Sequence, residues 1–227
     1  MKPRVVVIVS SDGEWRIVHR IFPEVKFSQS PYGEWFISTM NGEPVIFFHG
    51  GWGKVPSAAS SQYVIDRWKP ELIVNIGTCG GFKGELDKFD VVLVEKAVIY
   101  DIFSLMSDPE VTVNRTITDI DLDWLGDRLP MDVIRTTIVS GDRDLHPDDI
   151  ESLKHKYGAK VGDWESGSIA YVCSRNKVKL LILRGVSDIV SNRGGEAYEG
   201  RKKIWFKAAE KIIRELVQSL PNWLKLF

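Results

Sequence analysis

The stretch Leu72–Phe82, LIVNIGTCGGF, decides how the rest of the chain is read. Leu72, Ile73, Val74 and Ile76 form an apolar run broken only by Asn75, as expected of a strand covered on both faces. The run is expected to stop at Gly77-Thr78-Cys79-Gly80-Gly81. Three glycines in five residues let a backbone approach a ligand closely, and Thr78 sets a hydroxyl beside them. Ligands in open α/β sheets lie beyond the carboxyl ends of the strands. The stretch therefore reads either as a strand leading to a ligand-binding turn or as a tight exit turn with no ligand.

Similar punctuation recurs on both sides of it. Val5–Val9 is β-branched and predicts a central strand. It ends at Ser10-Ser11-Asp12-Gly13-Glu14, before a helix to about Ile21 that any of Ser10, Ser11 or Asp12 could cap. Glu14 then has two readings: a first-turn carboxylate favoured by the helix dipole, or a group facing a site. Glu34–Met40 and Glu43–His49 read as paired strands around Asn41-Gly42, a strong hairpin signal. A helix follows from about Pro56 to Trp68. The preceding GGWGK lacks the spacing and the hydroxyl residue of a P-loop.

Beyond the central stretch, Val91–Val98, Ile134–Val139, Ala159–Val161 and Lys179–Leu183 read as strands. Residues 101–118 read as irregular. Helices are expected at Leu122–Leu129, Asp148–Tyr157, Ser166–Asn176 and Tyr198–Leu220, the last stopped by Pro221. Alternating strands and helices predict one α/β domain over residues 1–227, with a central mixed sheet because of the hairpin.

Composition narrows the function classes. A net charge of -1 and a pI near 6.4 give no nucleic-acid-binding surface. Two cysteines, Cys79 and Cys173, form no disulfide framework and no metal cluster; they read as packing residues of a cytoplasmic protein. The run Val5–Val9 is too short for a signal-peptide core, and no stretch approaches the ~18 apolar residues of a membrane span.

Five predicted strand ends carry Glu14, Thr78, Asp142 with Asp144, Glu165, and Arg184 with Asp188. Acidic groups and an arginine from separated segments that meet on one side of a sheet describe a candidate site. Individually each has a plainer reading: Asp188 and Glu165 as caps, Arg184 as an ion-pair partner, Trp164 as core.

Six segments in order, SSDGEW (10–15), GWGKVPSA (51–58), NIGTCGGF (75–82), VSGDRDL (139–145), WESGSIAYVC (164–173) and LRGVSDIV (183–190), resemble the nucleoside phosphorylase/nucleosidase superfamily. The likeness is strongest to 5′-methylthioadenosine/S-adenosylhomocysteine nucleosidases. It covers nearly the whole chain. The resemblance implies a three-layer α/β domain whose mixed sheet curls toward a barrel, and cleavage of an N-glycosidic bond without a cofactor or metal. Carried over by position, Glu14 activates water and Asp188 protonates the purine N7. Glu165 holds the ribose hydroxyls, with Arg184 and Thr78 on the ribose and water side and Gly80 in the glycine turn. Leu145 offers backbone groups to the base, and Tyr198 packs near it.

Two positions depart from the nucleosidases: Trp164 stands where they have a methionine against the ribose, and Asp144 where they usually have a phenylalanine on the base. The expected partner is a small purine nucleoside, with no nucleic acid and no membrane. The apolar residues Ile102, Phe103, Leu105, Met106, Val111 and Val113 suggest a homodimer surface, as the resemblance does. Competing functions are a phosphate-dependent phosphorylase and a non-catalytic nucleoside-binding protein. Ser11-Asp12-Gly13-Glu14 and Asn75 stand where phosphorylases place phosphate-binding arginines, which favours water as the nucleophile.

Overall fold

The strand that begins at Leu72 does not stop at Gly77. A computed structural model describes residues 2–102, 104–106, 109–191, 193–198 and 201–227. Its strands are β1 (Val5–Val9), β2 (Ser28–Gln29), β3 (Glu34–Met40), β4 (Glu43–His49), β5 (Leu72–Phe82), β6 (Val91–Ile99), β7 (Ile117–Asp119), β8 (Ile134–Ser140), β9 (Ala159–Asp163), β10 (Lys179–Ser191) and β11 (Gly194–Gly195). Its helices are α1 (Asp12–Ile21), α2 (Lys54–Trp68), α3 (Pro109–Asn114), α4 (Ile150–Tyr157), α5 (Ser166–Asn176) and α6 (Lys202–Leu224).

β5 keeps β10 as its parallel neighbour from Leu72 to Phe82. On its other edge Leu72–Asn75 pair with β1, whereas Gly80 and Gly81 pair with Gly162 and Val161 of β9. The ring closes through β10–β6, β6–β8 and β8–β9. Strands β5, β10, β6, β8 and β9 thus form a barrel-like circuit, and β1, β4, β3 and β2 extend from it as an open wing.

The glycines belong to that closure. A Cβ on Gly81 would sit 2.7 Å from Val186, and one on Gly77 would sit 1.8 Å from the Arg184 guanidinium. Side chains there would block both the bend and the close approach of β10. The expectation of a strand exit at Gly77 is corrected on this ground. The same correction applies to β10, expected to end at Leu183 but continuing to Ser191. Its register slips between Val186 and Asp188. Such bulges bend a strand and re-aim the next side chain.

Successive residues alternate between two cores. Val5, Val7, Val9, Leu72, Val74 and Ile76 pack with Ile212, Leu216 and Trp223 of α6 and with Ile17 of α1. Val6, Ile8 and Ile73 pack with Val64 of α2 and Ile169 of α5. The result is helix, sheet, helix: the expected three-layer α/β arrangement around a mixed sheet. The hairpin turn is as read, with Asn41 and Gly42 at φ 52° and 82°, the backbone of a type I′ turn.

Other boundaries differ from the sequence reading. Leu122–Leu129 holds only a single 3-10 turn at Asp123–Leu125, and a 3-10 turn at Pro147–Asp149 precedes α4. Residues 101–118 contain α3 and the start of β7. Tyr198 precedes α6, and Pro221 lies inside it. Proline removes one helical hydrogen bond, but the last turn is held by the fully buried Trp223 and by Asn41 Nδ2 donating to the Pro221 carbonyl at 2.6 Å. Tertiary packing overrides the local stop signal.

Candidate active site

Each candidate side chain reaches the site by a local device. At the start of α1, the Ser11 Oγ accepts from Glu14 N (3.2 Å) while Ser11 N donates weakly to Glu14 Oε2 (3.4 Å), a capping box. The other oxygen, Glu14 Oε1, accepts from Thr78 N at 2.6 Å and from the Thr78 hydroxyl at 2.8 Å. Both readings of Glu14 hold at once: it caps the helix, and it faces a cavity buried to 3% exposure. Asp188 follows the β10 bulge, and its Oδ1 accepts from Ser187 Oγ at 2.7 Å. Burial pushes its carboxyl above the usual range, with Ser187 pulling partly the other way.

Glu165 follows β9, and its side chain does not cap α5. Its Oε1 accepts from Gly53 N at 3.2 Å. Burial first, then the charge of Asp163, push Glu165 up to about 8 against the pull of Arg184. The capping role belongs to Asp163, which accepts from Ser166 N and Ser166 Oγ.

The cavity measures about 500 Å³, enough for a small ligand. Glu14, Thr78, Gly80, Asp144, Leu145, Trp164, Glu165, Asp188 and Tyr198 all line it. Tyr198 donates its hydroxyl to the Leu145 carbonyl at 3.1 Å, tying the loop before α6 to the loop after β8. Asp144 is exposed. Trp164 is half-buried and stacks at 4.5 Å on Trp52.

Arg184 is the exception. It is 1% exposed and lies behind the lining, where it forms a 2.8 Å ion pair with Asp163 and donates to Asn75 Oδ1 at 2.6 Å and to Ser166 Oγ. Burial alone would strip its proton more easily, but Asp163, Glu165 and Glu14 outweigh that. Arg184, expected at the ribose and water side, is not on the cavity lining: its ion pair with the Asp163 carboxylate holds it beneath the wall. Its charge still acts on Glu14 and Glu165 through a low-dielectric interior.

Sequence reading missed Asp163, Trp52 and Trp205. Asp163 sits between the predicted strand Ala159–Val161 and the helix at Ser166, where its i,i+3 spacing to Ser166 is a capping signal. Trp52 is 59% exposed and lines the cavity; an aromatic in a glycine-rich loop was the available hint. Trp205 reaches the site from the first turns of α6 and carries no local signal. Cys79 and Cys173 are both buried, as expected of packing residues. Among the described residues no group of three His, Cys, Asp or Glu side chains is arranged to hold a metal ion, and no helix is long and apolar enough to cross a membrane.

Two carboxylates at opposite elements of one cavity, one fixed by three donors and one held above its usual pKa, can act as base and acid on a single ligand. The chain is similar to the 5′-methylthioadenosine/S-adenosylhomocysteine nucleosidase of Tolumonas auensis, at 25% identity over 205 residues, covering 82% of this chain and 86% of that one. The fold is similar to that of the Helicobacter pylori 5′-methylthioadenosine/S-adenosylhomocysteine nucleosidase bound to butyl-thio-DADMe-Immucillin-A (TM-score 0.78, 17% identity, 97% and 99% of the two chains). It is equally similar to futalosine hydrolase of Helicobacter pylori (TM-score 0.78, 17% identity, 97% and 98%). A profile described as the phosphorylase superfamily matches residues 4–220, nearly the full length, and the chain belongs to that superfamily.

Proposed function

We propose that this protein is a purine nucleoside N-ribohydrolase, cleaving the N-glycosidic bond of an adenosine-type nucleoside with water. The observation that carries the reading is the pairing of Glu14 and Asp188 across one cavity. Asp188, whose carboxyl burial holds above its usual range, gives a proton to N7 of the purine as the C1′–N9 bond breaks and its electron pair passes to the base. Water adds to the oxocarbenium-like C1′ and loses a proton to Glu14. The balance is one water consumed, one free purine and one free sugar released. Glu165 accepts from the ribose hydroxyls, and the buried Glu14 carboxylate stabilises positive charge at the sugar.

Phosphorolysis fits less well. The one arginine behind the glycine stretch is already neutralised by Asp163, and a phosphate dianion would meet Glu14 where it needs positive charge. Incubating the protein with a panel of purine nucleosides, with and without phosphate, tests the reading. Free base and free sugar in both buffers are expected; a ribose 1-phosphate formed only with phosphate would overturn it.

A homodimer is part of the same proposal. Leu105, Met106 and Val111 are exposed at 91%, 99% and 50%, and Val55 at 76%. Exposed apolar side chains near one another along one segment, as Leu105, Met106 and Val111 are, mark interaction surfaces; Val113, expected there too, is buried, at 4% exposure. Phe103, also expected there, lies outside the described residues. Light scattering at micromolar concentration checks the assembly, and a fully active monomer would end the idea.

A further inference from the structure

Thr78 Oγ1 has a second neighbour besides Glu14: Trp205 Nε1 of α6, at 3.1 Å. An indole N–H can only donate, and an ionised carboxylate can only accept. The hydroxyl between them carries one proton. It must therefore accept from Trp205 and spend that proton on Glu14 Oε1, which also receives Thr78 N. The lone pairs of Oε1 are then fully used. Only Oε2, bonded weakly to Ser11 N at 3.4 Å, keeps capacity to take a proton from water.

The ring of Trp205 is also seated by the site itself. A Cβ on Gly13 would lie 2.5 Å from Trp205 Cη2 and 2.7 Å from Cζ3. Glycine in the first turn of α1 costs helix stability, and here it makes room for the indole face. Farther along, Arg20 Nη2 pairs with Glu210 Oε2 at 2.7 Å and keys α6 against α1. Trp205 is thus held from two sides with its N–H on Thr78.

We propose that Trp205 is a positioning residue for the reaction read above. Its indole N–H fixes the direction of the Thr78 hydroxyl, so that Glu14 presents Oε2 alone to the attacking water. The inference rests on the nucleosidase reading. It adds a residue 127 positions from Thr78 that touches no reacting atom in this role.

A double-mutant cycle of Trp205→Phe with Thr78→Val tests it. Phenylalanine keeps an aromatic ring over Gly13 and removes only the donor; valine removes only the hydroxyl. Trp205→Phe should lower kcat about 3- to 10-fold, the scale of one hydrogen bond, with KM unchanged. In the Thr78→Val background the same substitution should lower kcat no further. Thr78→Ser, which keeps the hydroxyl, should restore sensitivity to Trp205→Phe. An equal loss in both backgrounds, or a change in KM alone, would overturn the relay and leave Trp205 as packing.

Hydrogen exchange of the Trp205 indole N–H, identified by its loss from Trp205→Phe, gives a readout free of turnover. Slow exchange that becomes fast in Thr78→Val supports the contact; exchange indifferent to Thr78 overturns it. Wild-type protein that releases no purine from any nucleoside would overturn the nucleosidase reading and the catalytic role with it, whatever the exchange shows.

Discussion

The two ends of the cavity are built differently. At the Glu14–Glu165 end nearly every polar group is committed. Glu14 receives Thr78 N, Thr78 Oγ1 and Ser11 N; Glu165 receives Gly53 N; and beneath them Arg184 joins Asp163, Asn75 and Ser166. At the Asp188–Asp144 end the hydrogen bonding is sparse. Asp188 receives a hydroxyl from its own neighbour Ser187, and among the described residues no side-chain hydrogen bond reaches Asp144. A carboxylate that must orient water gains from fixed donors. One that must give up a proton to a ligand gains from burial without them. The contrast teaches that the Glu14–Glu165 end is preformed by fixed donors and the Asp188–Asp144 end is not.

The largest expected effect breaks the preformed end. Arg184→Met would leave the Asp163 carboxylate buried without its partner, at a cost of about 3–5 kcal/mol. For a chain of this size that lowers the melting temperature by roughly 6–20 °C. A thermal melt checks it; an unchanged midpoint would show that the network under the cavity does not support the fold.

Next come the two carboxylates that define the contrast. Glu14→Gln and Asp188→Asn should each cut turnover by at least ~10²-fold, with folding nearly unchanged because neither supplies apolar core. Steady-state rates on the nucleoside that the panel identifies decide this. If only one variant loses activity, base and acid do not sit at opposite ends as drawn.

The smallest effect concerns Glu165 and pH. Its folded carboxyl titrates near 8, above the unfolded value. The folded state therefore holds a proton that the unfolded chain has already lost. Stability from this group is complete below the unfolded pKa and is lost as pH rises toward the folded one. Glu165→Gln should flatten the fall in melting temperature between pH 5 and pH 8. Parallel curves for wild type and variant would mean that Glu165 is ionised throughout.

Local signals accounted for much of the architecture. The β-branched run at Val5–Val9, the Asn41-Gly42 turn and the helix Ser166–Asn176 appear where their patterns put them, because burial on two faces, positive φ and helical spacing leave local marks. Nine of the ten proposed site residues line one cavity, since the carboxyl-terminal halves of the strands and the segments that follow them converge on one side of the sheet. Arg184 escaped because an ion pair with Asp163 depends on a contact across 21 positions of sequence.

What the sequence by itself determined is the alternation of elements and the residue types of the candidate site: acids that follow apolar runs and a cluster of glycines in one segment. The tertiary structure alone decided that β5 and β10 run on through their glycines to close a ring. It also decided that Arg184 lies beneath the cavity wall and that Trp205 reaches Thr78. The physical reason is the range of the forces involved. Periodicity and turn preference act within a few residues and are written locally, whereas desolvation, steric exclusion at Gly77 or Gly13 and pairing of buried charges depend on which distant segments meet.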